Sequence, residues 1–355
     1  MNFGAPRSFL SVGPYRRVDM RAWCVVVPRN RGEEMRRSLR DRGELVEHLK
    51  IREERGSLLL PTIGRLEIGL PVRQADFEPG YAPVRSYREL VRVPEDLRVS
   101  LPRAFDAIGD IAVLKIPEEL EAHREEIGRA ILAWDRKLRV VAQDRGVAGV
   151  RRIRRIEIIA GEDRTTTVHV EFGLRYRVDV ARAYFSPRLG TERKRVADLV
   201  TSGETVLDPF AGVGPYAILV AIRSPAARVL AADANPDAVA LLRANVAANR
   251  ASRVEVREGD AREVLRTVGP VDRVILDLPH AAMDFVPDAL RALRPRGTLH
   301  VYGIVEEAER EDRVQEIRSL GAREEWRATT IRVHDVRAYS PTQHHVAFDV
   351  TVAPA

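Results

Sequence analysis

The chain carries the stretch Asp208-Pro209-Phe210-Ala211-Gly212-Val213-Gly214 directly after the strand-like run Thr205-Val206-Leu207. Glycines after a strand allow a tight turn and leave room for a ligand against the start of the next helix. Further strand-like runs, with helical patterns between the early ones, follow this stretch as far as residue 302. The alternation predicts an α/β fold in which helices cover both faces of a parallel sheet, and ligands bind outside the carboxyl ends of such strands.

Carboxylates follow the next strand-like runs of the predicted sheet. Asp233 ends the second strand, and Asp260 and Asp277 end the third and the fourth. In these positions Asp233 is suited to bind both ribose hydroxyls of a nucleoside, and Asp260 is suited to contact an adenine amino group. Asp208 suits the amino group of a methionine moiety, and we therefore predict S-adenosyl-L-methionine as the cofactor. The predicted cofactor-binding residues along this edge are Asp208, Phe210, Gly212, Gly214, Asp233, Ala234, Asp260, Ala261, Asp277 and Pro279.

A dinucleotide such as NAD is the competing ligand for this edge. The run Gly212-Val213-Gly214-Pro215-Tyr216-Ala217 formally matches the dinucleotide fingerprint, and Asp233 fits the same pattern. However, Asp208 has no role in a pyrophosphate loop, and Pro215 removes a backbone N–H donor where a pyrophosphate needs one. The residues therefore favour S-adenosylmethionine over NAD.

Composition narrows the class of protein. Hydrophobic residues make up 45% of the chain and charged residues 31%, which is typical of a soluble globular enzyme. No apolar run approaches the roughly 18 residues of a membrane span, and no membrane association is predicted. The single cysteine, Cys24, excludes a disulfide framework, so we predict a buried thiol and a cytoplasmic location.

Positive charge is concentrated in the first part of the chain. Residues 1–200 hold 39 Lys and Arg against 30 Asp and Glu, whereas residues 201–355 hold 19 against 22. The run Arg151-Arg152-Ile153-Arg154-Arg155 places four guanidinium groups side by side, which is costly unless phosphates or carboxylates neutralise them. We predict that the first part binds a polyanion and the second part acts on it; a solvated, arginine-rich surface is the alternative.

A longer run, from residue 179 to residue 193, points to a known family. It reads Asp179-Val180-Ala181-Arg182-Ala183-Tyr184-Phe185-Ser186-Pro187-Arg188-Leu189-Gly190-Thr191-Glu192-Arg193. Together with the stretch at 208–214, this run closely resembles the archaeal and eukaryotic tRNA (guanine-37-N1)-methyltransferases. The resemblance covers roughly residues 86–352, and it includes Ala160-Gly161-Glu162, Asp233-Ala234-Asn235-Pro236 and Tyr339-Ser340-Pro341.

The resemblance implies a monomeric enzyme that binds tRNA, with no stable protein partner. It implies an α/β architecture in which a Rossmann-like class I methyltransferase domain is preceded by two smaller α/β or α+β domains. The first 80 residues match the family's tRNA-binding N-terminal domain only in size and place. The predicted organisation is a tail at 1–18, a small N-terminal domain at 19–80, a linker at 81–85, a central α/β domain at 86–172 and an S-adenosylmethionine-binding domain at 173–355.

The resemblance also implies catalytic residues. Guanine N1 carries a proton, which a carboxylate removes as the methyl group is transferred; the family's proposed base falls on Glu192, and Arg193 matches a cofactor contact. The arginine that holds the guanine oxygen falls on Arg152, or on Arg154 if the alignment shifts. The target base must first be flipped out of its loop. The predicted nucleic-acid-binding residues are Arg151, Arg152, Arg154, Arg155 and Arg188; no metal site is predicted.

Asp277 departs from the family pattern. The family usually has Asn-Leu-Pro after the fourth strand, and this chain has Asp277-Leu278-Pro279. An asparagine both donates and accepts hydrogen bonds, whereas an ionised aspartate only accepts. Asp277 either accepts a hydrogen bond from the guanine amino group, which leaves Glu192 as the base, or shares the N1 proton with Glu192. The first role is favoured because it needs no new proton path.

Three other functions remain open at the level of sequence. The nearest is a wyosine-pathway enzyme of the same fold, which methylates a tricyclic guanosine derivative or transfers an aminocarboxypropyl group at the same tRNA position. The Asp277-Leu278-Pro279 turn is closer to the methyltransferase pattern than to the pattern of the aminocarboxypropyl transferases, which lack it. A non-catalytic tRNA-binding protein and an NAD-dependent oxidoreductase are the remote alternatives, and the intact Asp208, Asp233, Asp260 and Glu192 argue against loss of catalysis.

Overall fold

The computed structural model describes residues 20–79, 84–148, 153–226 and 228–355. The chain forms two units, Met1–Arg85 and Ser86–Ala355. The predicted tail at 1–18 lies outside the described residues, as do Arg151 and Arg152. The predicted boundary between 172 and 173 falls inside the second unit, and the assignment of three domains stays a prediction.

The first unit contains a four-stranded antiparallel sheet and one helix. Its elements are β1 (Met20–Pro28), α1 (Gly32–Asp41), β2 (Arg52–Glu54), β3 (Ser57–Thr62) and β4 (Val72–Phe77), with the strands in the order β2-β3-β1-β4. Successive residues of β1 face opposite sides, so that Cys24 is buried beside Leu59 and Val25 is buried beside Leu39. Helix α1 ends at Asp41, and Gly43 just beyond it adopts a left-handed conformation with φ +68°.

The second unit begins with a four-stranded sheet, a helix and a hairpin. These elements are β5 (Asp106–Ile108), β6 (Ile111–Leu114), α2 (Arg124–Trp134), β7 (Val140–Ala148), β8 (Ile153–Gly161), β9 (Thr166–Glu171) and β10 (Leu174–Asp179). The sheet has the order β5-β6-β7-β8, and β9 pairs with β10. A 3-10 helix, Glu118–His123, follows Pro117 and leads directly into α2.

A seven-stranded sheet with helices on both faces makes up the rest of the second unit. Its elements are α3 (Gly190–Leu199), β11 (Thr205–Asp208), α4 (Pro215–Arg223), β12 (Arg228–Asp233), α5 (Pro236–Ala248), β13 (Val254–Glu258), α6 (Ala261–Thr267), β14 (Val271–Leu276), α7 (Val286–Ala292), β15 (Leu293–Glu306), α8 (Arg310–Arg323), β16 (Trp326–Ala338) and β17 (Gln343–Pro354). The strand order is β13-β12-β11-β14-β15-β17-β16. The α/β, Rossmann-like prediction is confirmed.

The sheet is mixed, because two C-terminal strands extend the five predicted strands at one end. The first five strands pair in parallel, but β17 is antiparallel to both β15 and β16. Only residues 339–342 separate β16 from β17. So short a connection forms a hairpin, because a parallel pair needs a crossover of a dozen or more residues.

Both faces of the inner strands are buried, which explains their continuous apolar runs. Val206 of β11 lies in a core with residues of α3, α4 and α5, and the adjacent Leu207 lies in a core with residues of α6, α7 and α8. The chain order reverses between β11 and β14, so the crevice for a ligand opens at the carboxyl ends of these two strands. None of the helices in the described part of the chain has the length and apolar character that a bilayer crossing requires.

Candidate active site

The loop after β11 is held open by its glycines and by Asp233. Gly212 and Gly214 have φ values of +53° and +92°, and a Cβ atom on Gly214 would lie 2.3 Å from Leu242 Cδ1. Only glycine therefore fits at position 214. Asp233 accepts hydrogen bonds from the backbone N–H groups of Gly212 and Asn235, both at 2.8 Å, and it thereby joins this loop to the end of β12.

Asp208, the last residue of β11, is the buried carboxylate beside this loop. It is 1% exposed, and its Oδ1 accepts from the Phe210 N–H at 3.3 Å. Its buried Oδ2 has no hydrogen-bond partner among the described residues. Burial, reinforced by the charge of Asp277, raises the pKa of Asp208 well above its usual range. A buried carboxylate oxygen without a donor is costly, and the cationic amino group of a methionine moiety would satisfy it. The site therefore fits S-adenosylmethionine.

The other predicted cofactor residues lie at the ends of neighbouring strands. Asp260 caps α6 by accepting from the Arg262 N–H at 2.8 Å, and Ala261 is buried behind it. The Phe210 ring packs edge-on against Phe285, with centroids 4.9 Å apart. Ala234 is exposed and Pro279 is partly buried. The structure thus brings the predicted residues to one edge of the sheet.

Arg193 on α3 is enclosed by protein groups. It is 2% exposed and donates to Glu171 Oε2 and to the Ser186 carbonyl, both at 2.7 Å. Its guanidinium carbon lies 5.0 Å from the Phe185 ring centroid. The Nε of Arg193 and the Oε1 of Glu171 are both buried and have no partner within the described residues. Arg193 fixes the run at 179–193 against β9, and its predicted cofactor contact stays a prediction.

Glu192 precedes Arg193 and is also buried, with 6% exposure. Its Oε1 accepts from the Tyr302 hydroxyl at 2.6 Å and from Arg195 Nη2 at 2.7 Å. Its Oε2 accepts from Arg195 Nε at 2.7 Å, so the ion pair is bidentate. The Tyr216 hydroxyl in turn donates to the Tyr302 hydroxyl at 3.0 Å. Both oxygens of the predicted base are therefore engaged.

A buried network continues behind Glu192. Arg195 also donates to Asp349 Oδ1 at 3.1 Å, and the same oxygen contacts His300 Nδ1 at 2.6 Å. His300 Nε2 lies 2.7 Å from Arg273 Nη1. Burial acts to raise the pKa of Asp349, but hydrogen bonds from His300 and Arg195 outweigh it and hold this pKa well below the usual range.

Sequence reasoning does not single out Arg195, Tyr302 or Asp349. One local signal was available, since residues three apart on a helix are neighbours and Glu192 and Arg195 have this spacing. The contacts of Asp349 and Tyr302 join residues 154 and 110 positions apart, and nothing local marks them.

Asp277 lies directly after β14 and is partly buried. Within the described part of the chain, its carboxylate makes no hydrogen bond or ion pair. Burial and the charge of Glu192 raise the pKa of Asp277 to about 6, against the opposing charge of Arg193. The charge of Asp277 in turn acts on Asp208. The structure therefore brings two predicted catalytic carboxylates, Glu192 and Asp277, to one end of the sheet.

His345 is a further buried group beside Tyr302 that the sequence does not indicate. It is 3% exposed, and its ring centroid lies 5.6 Å from that of Tyr302. Its buried Nε2 has no partner among the residues described. Burial, with the positive charge of Arg337, lowers the pKa of His345 to about 4, so the imidazole is neutral at pH 7.

The described arginines of the predicted nucleic-acid surface already have protein partners. Arg154 Nε lies 3.7 Å from Asp144, and its guanidinium carbon lies 5.0 Å from the Tyr184 ring centroid. Arg155 donates to the Arg145 carbonyl at 3.2 Å, and Arg188 donates to Asp106 at 2.5 Å. Their roles toward RNA stay predictions. Nowhere in residues 20–79, 84–148, 153–226 and 228–355 do three His, Cys, Asp or Glu side chains meet in a way that could hold a metal ion.

Comparison with known proteins identifies the family. Residues 167–327 match the family described as the TRM5/TYW2 methyltransferase domain, and residues 87–165 match the TYW2 N-terminal domain. Over 332 residues the chain is 38% identical to the tRNA (guanine(37)-N(1))-methyltransferase Trm5b of Pyrococcus abyssi, covering 93% of this chain and 99% of that relative. The chain belongs to the TRM5/TYW2 methyltransferase family.

Solved structures of other family members share the fold. The crystal structure of Trm5b from Pyrococcus abyssi matches with a TM-score of 0.81 at 38% identity. The match covers 94% of this chain and 99% of the Trm5b chain. The complex structure of aTrm5 and tRNALeu has a TM-score of 0.72 at 29% identity, covering 92% and 99%. The tRNA 4-demethylwyosine(37)-methyltransferase Taw21 of Saccharolobus solfataricus is 30% identical to this chain over 251 residues. The match covers 70% of this chain and 93% of Taw21.

Proposed function

We infer that this protein is an S-adenosylmethionine-dependent tRNA methyltransferase that modifies N1 of guanosine 37, beside the anticodon. The similarity to Trm5b carries this conclusion, because it extends over 93% of this chain and 99% of that enzyme. The site agrees with it chemically, since a buried carboxylate, Asp208, lies at the cofactor edge, and two more carboxylates lie at the same end of the sheet.

The cofactor-binding roles follow from the strand ends. When bound, S-adenosylmethionine supplies an electrophilic methyl group. We propose that Asp208 holds its amino group, because the Oδ2 of this residue is buried and lacks a donor within the described residues. Asp233 would hold the ribose hydroxyls, since a carboxylate has lone pairs beyond those used by Gly212 and Asn235. Asp260 would accept from the adenine amino group.

Methylation of guanine N1 needs a group that accepts the N1 proton and a positive charge beside the guanine oxygen. Guanine N1 loses its proton as the methyl group arrives, and negative charge develops on the guanine oxygen. Glu192 and Asp277 are the two carboxylates near the end of β14 that can take part in the proton transfer. We propose that an arginine from the run at 151–155 stabilises the negative charge on the guanine oxygen. Arg154 supports this role because it stacks on Tyr184, whose carbonyl oxygen lies near Gly212 of the cofactor loop.

The substrate is tRNA, and a positively charged first part of the chain suits it. Methylation of a wyosine precursor at the same position is the second candidate, because Taw21 is 30% identical to this chain. It is the weaker one, since that match covers 70% of the chain, against 93% for Trm5b. A cytoplasmic location and a monomeric state are proposals that fit a tRNA-modifying enzyme.

Mass spectrometry of nucleosides tests the function directly. An unmodified tRNA transcript with guanosine at position 37 is incubated with the protein and S-adenosylmethionine, then digested. We expect 1-methylguanosine from this transcript and none from a matched transcript with adenosine at position 37. If no 1-methylguanosine forms, or if it forms equally in both transcripts, the proposed function is wrong.

A further inference from the structure

Arg195 joins Glu192 to a second buried carboxylate, that of Asp349 on β17. Its guanidinium group donates to both oxygens of Glu192, at 2.7 Å each, and to both oxygens of Asp349. The two carboxylates are 6% and 8% exposed, so solvent screens their charges poorly. These three side chains form a charge triad in which two carboxylates and one guanidinium leave one uncompensated negative charge. Buried charges with this balance favour the uptake of one proton.

His300 on β15 holds the far carboxylate of the charge triad. Its Nε2 lies 2.7 Å from Arg273 Nη1, and a guanidinium group can only donate, so Nε2 accepts and the ring proton is on Nδ1. Nδ1 lies 2.6 Å from Asp349 Oδ1 and therefore donates to it. Burial lowers the pKa of His300, so the imidazole is neutral at pH 7 and adds no charge. Arg273 pairs with Glu204 at 2.7 Å, so the charge triad keeps its net charge.

Two further titratable groups face the charge triad from neighbouring strands. Tyr302 of β15 donates to Glu192 Oε1 at 2.6 Å, and His334 of β16 places its Nε2 3.3 Å from Asp349 Oδ2. Glu192 Oε1 thus accepts two hydrogen bonds, whereas Oε2 accepts one among the described residues, from Arg195. An ionised carboxylate oxygen has two lone pairs. Oε2 therefore keeps one lone pair to which a guanine N1–H group can donate without displacing a protein donor.

We propose that Asp349 and Arg195 are positioning residues for proton transfer to Glu192, and that the charge of Asp349 makes proton uptake by Glu192 favourable. This inference rests on the proposed function, with Glu192 as the group that receives the N1 proton of guanosine 37. The N1–H bond breaks, the proton passes to Glu192 Oε2, and the electron pair left on N1 forms the bond to the methyl carbon. The bond from that carbon to the donor sulfur breaks, and its electron pair stays on sulfur.

Asp349 has a second effect once the proton has moved. Glu192 is then neutral and no longer balances the charge of Arg195. Asp349 remains paired with Arg195, so the guanidinium group is not left as a buried charge without a partner, which is strongly unfavourable. Glu192 later releases the proton to water, and the charge triad returns to its starting state.

Alkaline pH separates a loss of proton acceptance from a loss of structure. Guanine N1 gives up its proton to solvent at alkaline pH, so a variant whose base is weakened should recover as the pH rises. A variant whose site is only distorted has no such recovery, and its rate should stay below that of wild type by the same factor at every pH. The shape of the pH profile therefore distinguishes the two.

The test is single-turnover methylation of the guanosine-37 transcript from neutral to alkaline pH. Asp349→Asn keeps the shape of the side chain but removes its charge, so its rate at pH 7 should be about 10–100-fold below wild type and should rise more steeply with pH. Glu192→Gln removes the base itself and should lose about 10²–10⁴-fold with the same rise. Asp349→Glu keeps the charge, so it should lose less than Asp349→Asn and follow the wild-type profile.

Asp335→Asn is the matched control. Asp335 also forms a bidentate pair with an arginine, Arg310, but about half of its side chain is exposed. This variant should stay within about twofold of wild type at every pH. Thermal unfolding and binding of S-adenosylmethionine establish that each variant is folded, and the affinities for the cofactor and for tRNA should change by no more than about threefold.

Arg195→Lys tests the same role without relying on the folding of Asp349→Asn. Lysine keeps the charge but cannot bridge two carboxylates as a planar guanidinium does, so the rate should fall by about tenfold at every pH. An Asp349→Asn rate with the wild-type pH profile, or an Arg195→Lys rate equal to wild type, would overturn the positioning role. A wild-type protein that forms no 1-methylguanosine would overturn the proposed function itself.

Discussion

Replacing Arg195 with methionine removes the guanidinium that joins two buried carboxylates and keeps most of the aliphatic chain. Arg195 binds Glu192 and Asp349, which are 6% and 8% exposed. Removing one partner of a buried ion pair costs roughly 3–5 kcal/mol, because the remaining charge stays in a poorly solvated place. The Arg195 side chain is 24% exposed, so solvent screening places the expected cost at the lower end, about 3 kcal/mol. The melting temperature of the second unit should fall by roughly 6–12 °C.

Thermal and urea unfolding followed by circular dichroism measure this loss at pH 7. Lys194→Met is the matched control, because Lys194 also forms an ion pair on α3, with Asp198, but both side chains are more than half exposed. The control should change stability by no more than about 0.5 kcal/mol. An Arg195→Met loss as small as that of the control would refute the reasoning.

The pH dependence of the stability lost in Arg195→Met is a second check. The folded-state pKa of Asp349 is held below its usual range, so its contribution to stability is present above the unfolded-state pKa of about 4. The contribution is lost as pH falls below that value, because the unfolded chain then binds a proton that the folded chain does not. Arg195→Met has already lost part of it, so the difference from wild type should narrow below about pH 4. A difference that stays constant there would contradict the role of the ion pair.

Three further predictions concern the cofactor, the RNA and a buried histidine. Asp233→Ala should weaken S-adenosylmethionine binding by about 1–3 kcal/mol in calorimetry, and NAD should not bind; observed NAD binding would contradict the assignment. The affinity for tRNA should fall steeply with salt, and a flat titration, or equal affinity for duplex DNA, would exclude a specific phosphate-binding surface. Because burial lowers the pKa of His345 to about 4, stability should fall as pH drops from about 6.5 to about 4, by on the order of 3 kcal/mol. His345→Gln should remove that part of the pH dependence in urea titrations, and an unchanged slope would show that His345 does not cause it.

The sequence by itself determined the features that depend on short stretches of chain. The run at 205–214 indicates a strand, a glycine turn and a helix start, and these lie as expected in β11 and α4. Asp208, Asp233, Asp260 and Asp277 were placed at strand ends from their neighbours alone, because in a parallel sheet the carboxyl ends of the strands share one edge. The run at 179–193 indicated the family, and the comparisons confirmed it.

Only the tertiary structure decided what each of these groups contacts. Glu192 was predicted from a local run, but the partners that occupy its oxygens come from α3 and from β15, 110 residues away. The antiparallel insertion of β17 between β15 and β16 places Asp349 beside His300 and Arg195 and buries His345 beside Tyr302. Whether a carboxylate is free to accept a proton depends on which donors the packed sheet brings to it. That information lies in long-range pairing, which no local pattern of residues contains.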